Sequence, residues 1–295
     1  MTTMPPPPRT APPPRRQAPP PPVSALSAPT ATPAVIGQLS AAKEPPRIIL
    51  NAVEGFGKTS CGAFAPDPVI LMAEGETGAQ TLLAAGLIPQ IPGAVIETRD
   101  QLFATIAELT ANGGYGTLVM DALSGFEKMI HTYICDRDFN GDWGEKGFAS
   151  YQKGFDVSVN EWLLLLQRLD QLRASQNMTI IILSHTQVRP FKNPVGEDFD
   201  RYIADCHPKT WAPTAKWADA VLFGNFVTVV DKGKSGKERA KGIGGTSRVI
   251  YTQRRDAWDA KNRYGMPESI DLTDNPADNW NLIDAAINGT RKEVK

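Results

Sequence analysis

The stretch "NAVEGFGKTS", residues 51–60, directly follows the apolar run "RIIL" at 47–50. A glycine-rich turn between a strand and a helix presents backbone N–H groups to an anion, and a following lysine and hydroxyl add a charge and a magnesium ligand. Gly57, Lys58 and Thr59 fill the last three places of the pattern G-x-x-x-x-G-K-[ST], whereas Ala52 occupies the first. The stretch therefore predicts a phosphate-binding loop with one mild departure from the pattern.

The surroundings of this loop favour a nucleotide site over a turn that carries a lysine by chance. An apolar strand precedes the loop, and a helix containing small residues, "KTSCGAFA", follows it. Loops in this setting hold a nucleoside triphosphate together with Mg²⁺, so we expect ATP and Mg²⁺ as ligands. The predicted nucleotide-binding residues are Ala52, Val53, Glu54, Gly55, Phe56, Gly57, Lys58, Thr59 and Ser60.

A second signal for this chemistry lies about 60 residues downstream, where "TLVMD" ends at Asp121. An acid at the end of a neighbouring strand orients water on the magnesium ion in such sites. We therefore predict Thr59 and Asp121 as the metal residues and Lys58 as a catalytic residue. The alternative for Asp121 is a carboxylate that only caps the next helix.

Short apolar runs alternate with longer helical patterns after residue 46, which is typical of a parallel sheet covered on both faces. Two further apolar runs, 219–230 and 247–254, predict an antiparallel hairpin that extends the sheet. The predicted fold class is α/β, with a mostly parallel sheet, flanking helices and an antiparallel C-terminal extension. The predicted parallel strands are 47–51, 68–74, 94–98, 116–121 and 178–185, and the clearest helices are 100–111 and 158–175.

The 295-residue chain has 25 prolines, and many of them lie in the first 46 residues, which have no aromatic residue. Such a segment buries too little apolar surface to offset the entropy of ordering, so 1–46 is predicted to be a disordered tail. Residues 47–286 are predicted to form one domain and 287–295 a short C-terminal tail. Arg9, Arg15 and Arg16 either contact a partner or belong to a solvated spacer.

Charge and cysteine content limit the classes of function. The net charge is −1, so no global positive field attracts nucleic acid, and any contact must be local. The three cysteines are isolated from each other and indicate a reducing compartment. No run of about 20 apolar residues predicts a membrane span, so we expect a cytoplasmic protein with no membrane partner.

The second and fifth predicted strands resemble the RecA-like ATPases. In that superfamily a glutamate after the second strand is the catalytic base, and by the match "MAEGET" this is Glu74, with Glu76 as the alternative. The superfamily also places a polar sensor of the γ-phosphate after the fifth strand. In "IIILSHTQV" that residue is His185, although a histidine can also simply close a buried strand.

A third resemblance concerns "DAKNRYGMPESIDL", residues 259–272. It is similar to the lysine-x-arginine finger of RecA-like hexameric helicases and their phage relatives, in which both cations reach a neighbouring subunit's nucleotide. The resemblance implies that Lys261 and Arg263 are catalytic in trans and that the protein forms a homo-oligomer, either a ring or a filament. The alternative is an exposed basic turn.

Together these elements resemble a family of phage nucleotide-binding proteins with a RecA-like P-loop NTPase core, which includes the Sak-type single-strand-annealing ATPases. The resemblance extends over about residues 47–283. It implies an ATPase stimulated by single-stranded DNA that anneals or exchanges strands during recombination. It also implies a host-cell cytoplasmic location, with a single-strand-binding protein as a further candidate partner.

In RecA-like proteins single-stranded DNA binds to mobile loops after the magnesium strand and after the sensor strand, which here correspond to residues 135–154 and 187–209. Both segments mix cations with aromatic rings, as proteins that grip single strands do, but both also carry acids. The tip 232–241 of the predicted hairpin is more basic and is either a DNA contact or a solvated loop. The candidate DNA contacts are Trp143, Lys146, Phe148, Arg189, Phe191, Lys192 and Arg201.

Two other functions remain open at this point. A hexameric helicase motor is favoured by the lysine-x-arginine stretch, but the chain has no room for the second folded domain that such motors carry. A nucleotide-binding adaptor without significant hydrolysis is compatible with Ala52 and with the uncertain identity of the base.

Overall fold

The computed structural model describes residues 44–231 and 241–289, without the side chains of 228–231 and 241–244. The strands are β1 Arg47–Ala52, β2 Pro68–Ala73, β3 Gly93–Ile96, β4 Thr117–Asp121, β5 Thr179–Phe191, β6 Phe199–Ala204, β7 Ala220–Asp231, β8 Lys241–Tyr251, β9 Lys261–Asn262 and β10 Ser269–Asp271. The α-helices are α1 Lys58–Ala63, α2 Gly78–Ala84, α3 Arg99–Asn112, α4 Leu123–Phe139, α5 Lys153–Gln176, α6 Pro208–Trp217 and α7 Pro276–Asn288.

The strands form one sheet in the order β10-β8-β7-β1-β5-β4-β2-β3. The six strands from β7 to β3 in this order are parallel, and β8, β9 and β10 each pair in antiparallel register with the neighbouring strand. The predicted α/β fold, with a mostly parallel sheet and an antiparallel C-terminal extension, is therefore confirmed. Strands β1, β5 and β4 lie at the centre of this sheet.

Helices cover both faces of the sheet because the central strands are apolar on both sides. Ile49, Leu118 and Ile182 pack beneath α3, α4 and α5, while Val119 and Leu183 face the side of α1, α2 and α7. Side chains alternate along a strand, so the residues two positions after Val119 and Leu183 lie on the α1 side. These residues are the predicted functional residues Asp121 and His185.

Strand β5 continues beyond the predicted end at residue 185 and corrects the expectation of a loop after it. Its outer part, Thr186–Phe191, pairs in antiparallel register with β6, Phe199–Ala204. The Asn193 N–H donates to Asp198 Oδ1 within the turn (3.0 Å). The RecA-like resemblance implied a mobile loop here, but backbone pairing with "FDRYIA" makes this segment a β-hairpin.

Both ends of the predicted domain differ slightly from expectation. The Ile180 N–H donates to Pro46 O (3.1 Å), and Arg173 bonds Pro45 O and pairs with Glu44, so residues 44–46 pack on the core. Helix α7 extends two residues past 286. The predicted tail up to residue 43, the hairpin tip 232–240 and the last six residues lie outside the described part. No described helix is long and apolar enough to span a membrane.

Candidate nucleotide site

The loop between β1 and α1 adopts a conformation that requires glycine at two positions. Gly55 (φ 71°) and Gly57 (φ 96°) both lie in the left-handed region, which side chains disfavour. A Cβ atom at Gly57 would also lie 2.9 Å from Arg248 Nη1. The N–H groups of Gly55 and Gly57 find no acceptor among the described residues. Unpaired donors in a glycine-rich loop fit an anionic ligand such as a phosphate group.

Lys58 extends back over this loop. Its side chain is buried, and Nζ donates to Ala52 O (3.0 Å) and Val53 O (3.1 Å). An ammonium group has three donors, so one remains for a further acceptor. Burial lowers the pKa of Lys58, and the nearby carboxylates of Asp121, Glu54 and Glu76 oppose this effect. The lysine therefore supplies a positive charge held in place by the loop itself.

Thr59 and Asp121 meet above the sheet, although 62 residues separate them in sequence. The Thr59 hydroxyl donates to Asp121 Oδ2 at 2.7 Å. Burial raises the pKa of Asp121, while the Thr59 hydrogen bond and the charges of His185 and Lys58 lower it. No cluster of three or more His, Cys, Asp or Glu side chains suited to a metal occurs in the described ranges. A hydroxyl with one carboxylate fits Mg²⁺, because this ion takes few ligands from the protein and fills its other positions with water and substrate phosphates.

The comparison with protein families agrees with this geometry. A family model described as an AAA domain matches residues 44–264. The chain belongs to this AAA domain family. It is thus a P-loop NTPase-type domain of the ATPase class, a class that binds nucleotide, usually with Mg²⁺. No curated protein matches the chain significantly.

The two candidate bases of the AAA domain occupy different surroundings. The turn after β2 contains Gly75 in the left-handed region (φ 90°), and the Glu76 N–H donates to Ala73 O (3.0 Å). This turn carries Glu76 toward the site, where the charges of Asp121, His185 and Lys58 act on it. Burial, together with Asp121, raises the pKa of Glu76. Glu76, the alternative in the sequence, is the carboxylate that the fold groups with Lys58 and Asp121.

Glu74 is exposed and faces a different space. It lines a cavity of about 350 Å³ between the ends of β2 and β3 and helix α4. None of the other predicted site residues lines this cavity. The prediction that Glu74 is the base stays untested, but the geometry favours Glu76. The cavity is lined by Glu74, Glu97, Thr98, Arg99, Asp100, Gly125, Lys128, Met129, Thr132, Tyr133 and Asp136.

His185 lies where the parallel part of β5 ends and the β5–β6 hairpin begins. It pairs with Ala52 in the sheet, and its Nε2 lies 3.8 Å from Glu76 Oε1. The imidazole is one-third exposed. The predicted sensor is therefore next to the candidate base on one side and continuous with an exposed hairpin on the other.

Lys261 and Arg263 lie away from the phosphate loop, at the opposite edge of the sheet. Lys261 pairs with Val221 in β7, and its Nζ donates to three carbonyls at the end of α6, those of Ala215, Lys216 and Ala218 (2.9, 2.8 and 2.6 Å). Arg263 pairs with Asp219 (3.1 Å), and its side chain is 52% exposed. Strands rise about 3.3 Å per residue, so the ends of the six-residue β1 lie about 17 Å apart. Arg263 shares Asp219 with Arg47 at the end of β1 away from the loop, and the three donors of Lys261 are used at the end of α6.

The segments expected to hold DNA are more ordered than the sequence suggested, and two candidate contacts are unsuitable. Phe148 is fully buried among aromatic rings, and Arg201 is buried against Asp259 and Phe191. Trp143 is half exposed. Tyr151, which the sequence reading did not single out, is 92% exposed and has φ 46°.

Arg248 is another residue that sequence reasoning missed. It lies in β8, yet its guanidinium reaches the phosphate loop, where Nη1 donates to Phe56 O (3.1 Å). The available signal was a single arginine inside the apolar run "RVIY". That signal marks an unusual strand residue but does not indicate what the residue contacts.

Proposed function

We propose that this AAA domain protein hydrolyses ATP to act on single-stranded DNA, in annealing or strand exchange of the phage recombination type, as a homo-oligomer. The observation that carries the proposal is the 2.7 Å contact of Thr59 with Asp121 beside the buried ammonium of Lys58. A charged loop, a hydroxyl and a strand-end carboxylate together form the donor set for a triphosphate and its magnesium. A nucleotide-binding adaptor without significant hydrolysis would use the same contacts, so ATP turnover is what separates the two functions.

Each residue has a defined task in this proposal. The loop N–H groups and Lys58 hold the phosphates, and Thr59 and Asp121 hold Mg²⁺, which supplies charge neutralisation when bound. Glu76 accepts a proton from the attacking water, because its raised pKa makes it a stronger base than an ordinary glutamate. Glu74 is the competing candidate for the base, and the variants Glu76→Gln and Glu74→Gln distinguish the two. His185, 3.8 Å from Glu76, would respond to occupation of the site.

The position of Arg263 supports action across an interface. Its half-exposed guanidinium lies at the sheet edge opposite the phosphate loop, so a head-to-tail neighbour is required to bring the two together. An arginine supplied in this way stabilises charge on the transferring phosphoryl group and couples hydrolysis to assembly. Lys261 already has three carbonyl acceptors within its own chain, so its part in the trans contact requires release from the end of α6.

Two exposed features support a single-stranded DNA partner. The β5–β6 hairpin extends directly from His185, which would connect nucleotide state to its exposed tip, where Val195 is 92% exposed. The second feature is the segment 135–154, which carries the half-exposed ring of Trp143 and the exposed ring of Tyr151. Exposed rings flanked by lysines bind single strands by stacking and phosphate neutralisation, without sequence preference.

The test is ATP turnover by the full chain with and without single-stranded DNA. Wild type should turn over ATP faster with DNA, whereas Lys58→Ala and Asp121→Asn should be nearly inactive. Lys128→Ala, a lysine of the α4 cavity away from the phosphate loop, is the matched control and should behave as wild type.

Different outcomes overturn different parts of the proposal. ATP binding without turnover in wild type would favour the adaptor function. Turnover that is unaffected by single strands would remove the DNA partner, and unwinding of a forked duplex by the protein alone would favour the helicase function. Mixing inactive Lys58→Ala with inactive Arg263→Ala should restore part of the activity, because some interfaces then combine an intact loop with an intact arginine. No recovery would exclude action in trans.

A further inference from the structure

The phosphate loop is joined to the β7–β8 hairpin by side-chain packing and backbone bonds. The Phe56 ring is fully buried against β7, where a Cβ at Gly224 would lie 2.6 Å from it, and it meets the Phe226 ring edge-on at 6.3 Å. The Val53 N–H donates to Gly224 O (3.2 Å). A loop that closes on an anion is therefore supported from the side by a neighbouring hairpin.

Arg248 adds a charged contact to this support. Its guanidinium donates to Phe56 O (3.1 Å) through Nη1 and to Thr273 O (2.7 Å) through Nη2. Thr273 lies between β10 and α7, so one side chain connects the loop, the hairpin and the C-terminal helix region. Arg248 forms no ion pair with any carboxylate in the described part of the chain. No carboxylate of the described residues neutralises its positive charge beside the loop.

The contact with Phe56 O fixes the direction of the next N–H group. The peptide bond between Phe56 and Gly57 is trans, so the Phe56 carbonyl and the Gly57 N–H point in opposite directions within the peptide plane. With its carbonyl held by Arg248, this peptide unit cannot rotate freely, and the Gly57 N–H stays on the side away from the guanidinium. That N–H has no acceptor within the described residues. Hydrogen bonds in series also polarise one another, which makes the Gly57 N–H a better donor to an anion.

We infer that Arg248 is a positioning residue of the nucleotide site, which orients the Gly57 N–H toward the phosphate groups and raises the affinity for ATP and ADP. This inference rests on the proposed nucleotide site. The residue acts through the Phe56–Gly57 peptide and not on the reacting atoms, so it contributes to binding more than to the chemical step.

The experiment is equilibrium binding of ADP and of a non-hydrolysed ATP analogue to the full chain by calorimetry. Arg248→Ala should raise the Kd for both nucleotides about tenfold, which is a typical effect of one lost charge-assisted interaction. Arg248→Lys keeps the charge but loses the planar guanidinium that bonds Phe56 O and Thr273 O at once, and it should raise Kd about threefold. At saturating ATP the kcat of both variants should stay within about twofold of wild type. The control is Arg254→Ala, an exposed arginine with only a 3.9 Å contact to Asp259.

Two readouts separate positioning from general destabilisation. The Tm of each variant without nucleotide shows how much stability is lost, and the nucleotide-induced rise in Tm should be smaller in Arg248→Ala than in wild type and Arg254→Ala. A folded Arg248→Ala with wild-type Kd overturns the inference. If that variant does not fold, a wild-type Kd in Arg248→Lys overturns it instead. Absence of nucleotide binding by wild type would contradict the proposed function itself, which is a distinguishable result.

Discussion

Replacing Glu76 by glutamine tests the identity of the base most directly. Glutamine has nearly the same size and still forms hydrogen bonds, so the Thr59–Asp121 contact and nucleotide binding should persist. The change removes only the ability to accept a proton. General bases contribute about 100- to 10,000-fold to rates, which corresponds to about 3–5 kcal/mol of activation free energy. We expect Glu76→Gln to lower kcat by a factor in this range of about 100 to 10,000, while the Kd for ADP changes little.

The matched variant is Glu74→Gln, two residues away. Glu74 is exposed and lines the α4 cavity, so its kcat should stay within about threefold of wild type. The assay is single-turnover hydrolysis with single-stranded DNA present, which isolates chemistry from product release. Loss of turnover in Glu74→Gln with a nearly normal Glu76→Gln would refute the reasoning and restore the base that the RecA-like resemblance predicts.

The pH profile gives an independent check on the same residue. A general base must be deprotonated, so activity falls when the pH drops below its pKa. Burial and Asp121 raise the pKa of Glu76 above its ordinary value of 4.5, so the acid limb of the profile should lie above pH 4.5. In Glu76→Gln the residual activity should lack this limb. A wild-type profile that stays flat below pH 4.5 would contradict the assignment.

Three further variants test the structure around the site. Asp219→Ala should lower the free energy of unfolding by about 1–3 kcal/mol in urea melts, because Arg47 loses its Nε and Nη2 bonds to Asp219 while its Nη1 bond to Asp170 remains; a loss below about 0.5 kcal/mol would contradict this. Burial and His207 lower the pKa of His131 from 6.5 to about 4. Between these two values the unfolded chain binds a proton at His131 and the folded chain does not, so stability should fall as the pH drops from about 6.5 toward 4. His131→Gln should reduce that slope by up to about 1.4 kcal/mol per pH unit, and an unchanged slope would place the titration elsewhere. Lys261→Ala should lower the unfolding free energy by about 1–3 kcal/mol through loss of the bonds to α6, and unchanged stability would show that those bonds are not significant.

The sequence predicts the sheet well because the relevant signal is local. A strand buried on both faces must be apolar throughout, and a glycine-rich turn before a lysine has few other uses, so β1, the loop and Asp121 follow from short segments. Alternation along β4 and β5 then brings Asp121 and His185 to one face. None of these steps requires knowledge of distant contacts.

The parts that could not be predicted depend on a single backbone angle or on a distant residue. The left-handed Gly75 decides which glutamate turns toward Lys58, and that angle is not encoded by residue type alone. The role of Arg248 depends on a carbonyl 192 positions away in the sequence. The burial of Phe148 depends on packing against α4 and α5, which composition does not reveal.

The placement of the phosphate loop and Arg263 at opposite ends of β1 gives any stack of copies a direction. Under the proposed action of Arg263 in trans, an open stack of n subunits has one terminal copy whose loop no neighbour completes, so only n−1 junctions are competent. A closed ring has no such vacancy. Specific activity should therefore climb gradually with oligomer length for an open stack, and rise in one step at a fixed subunit number for a ring, which allows turnover against concentration to report the form of the assembly.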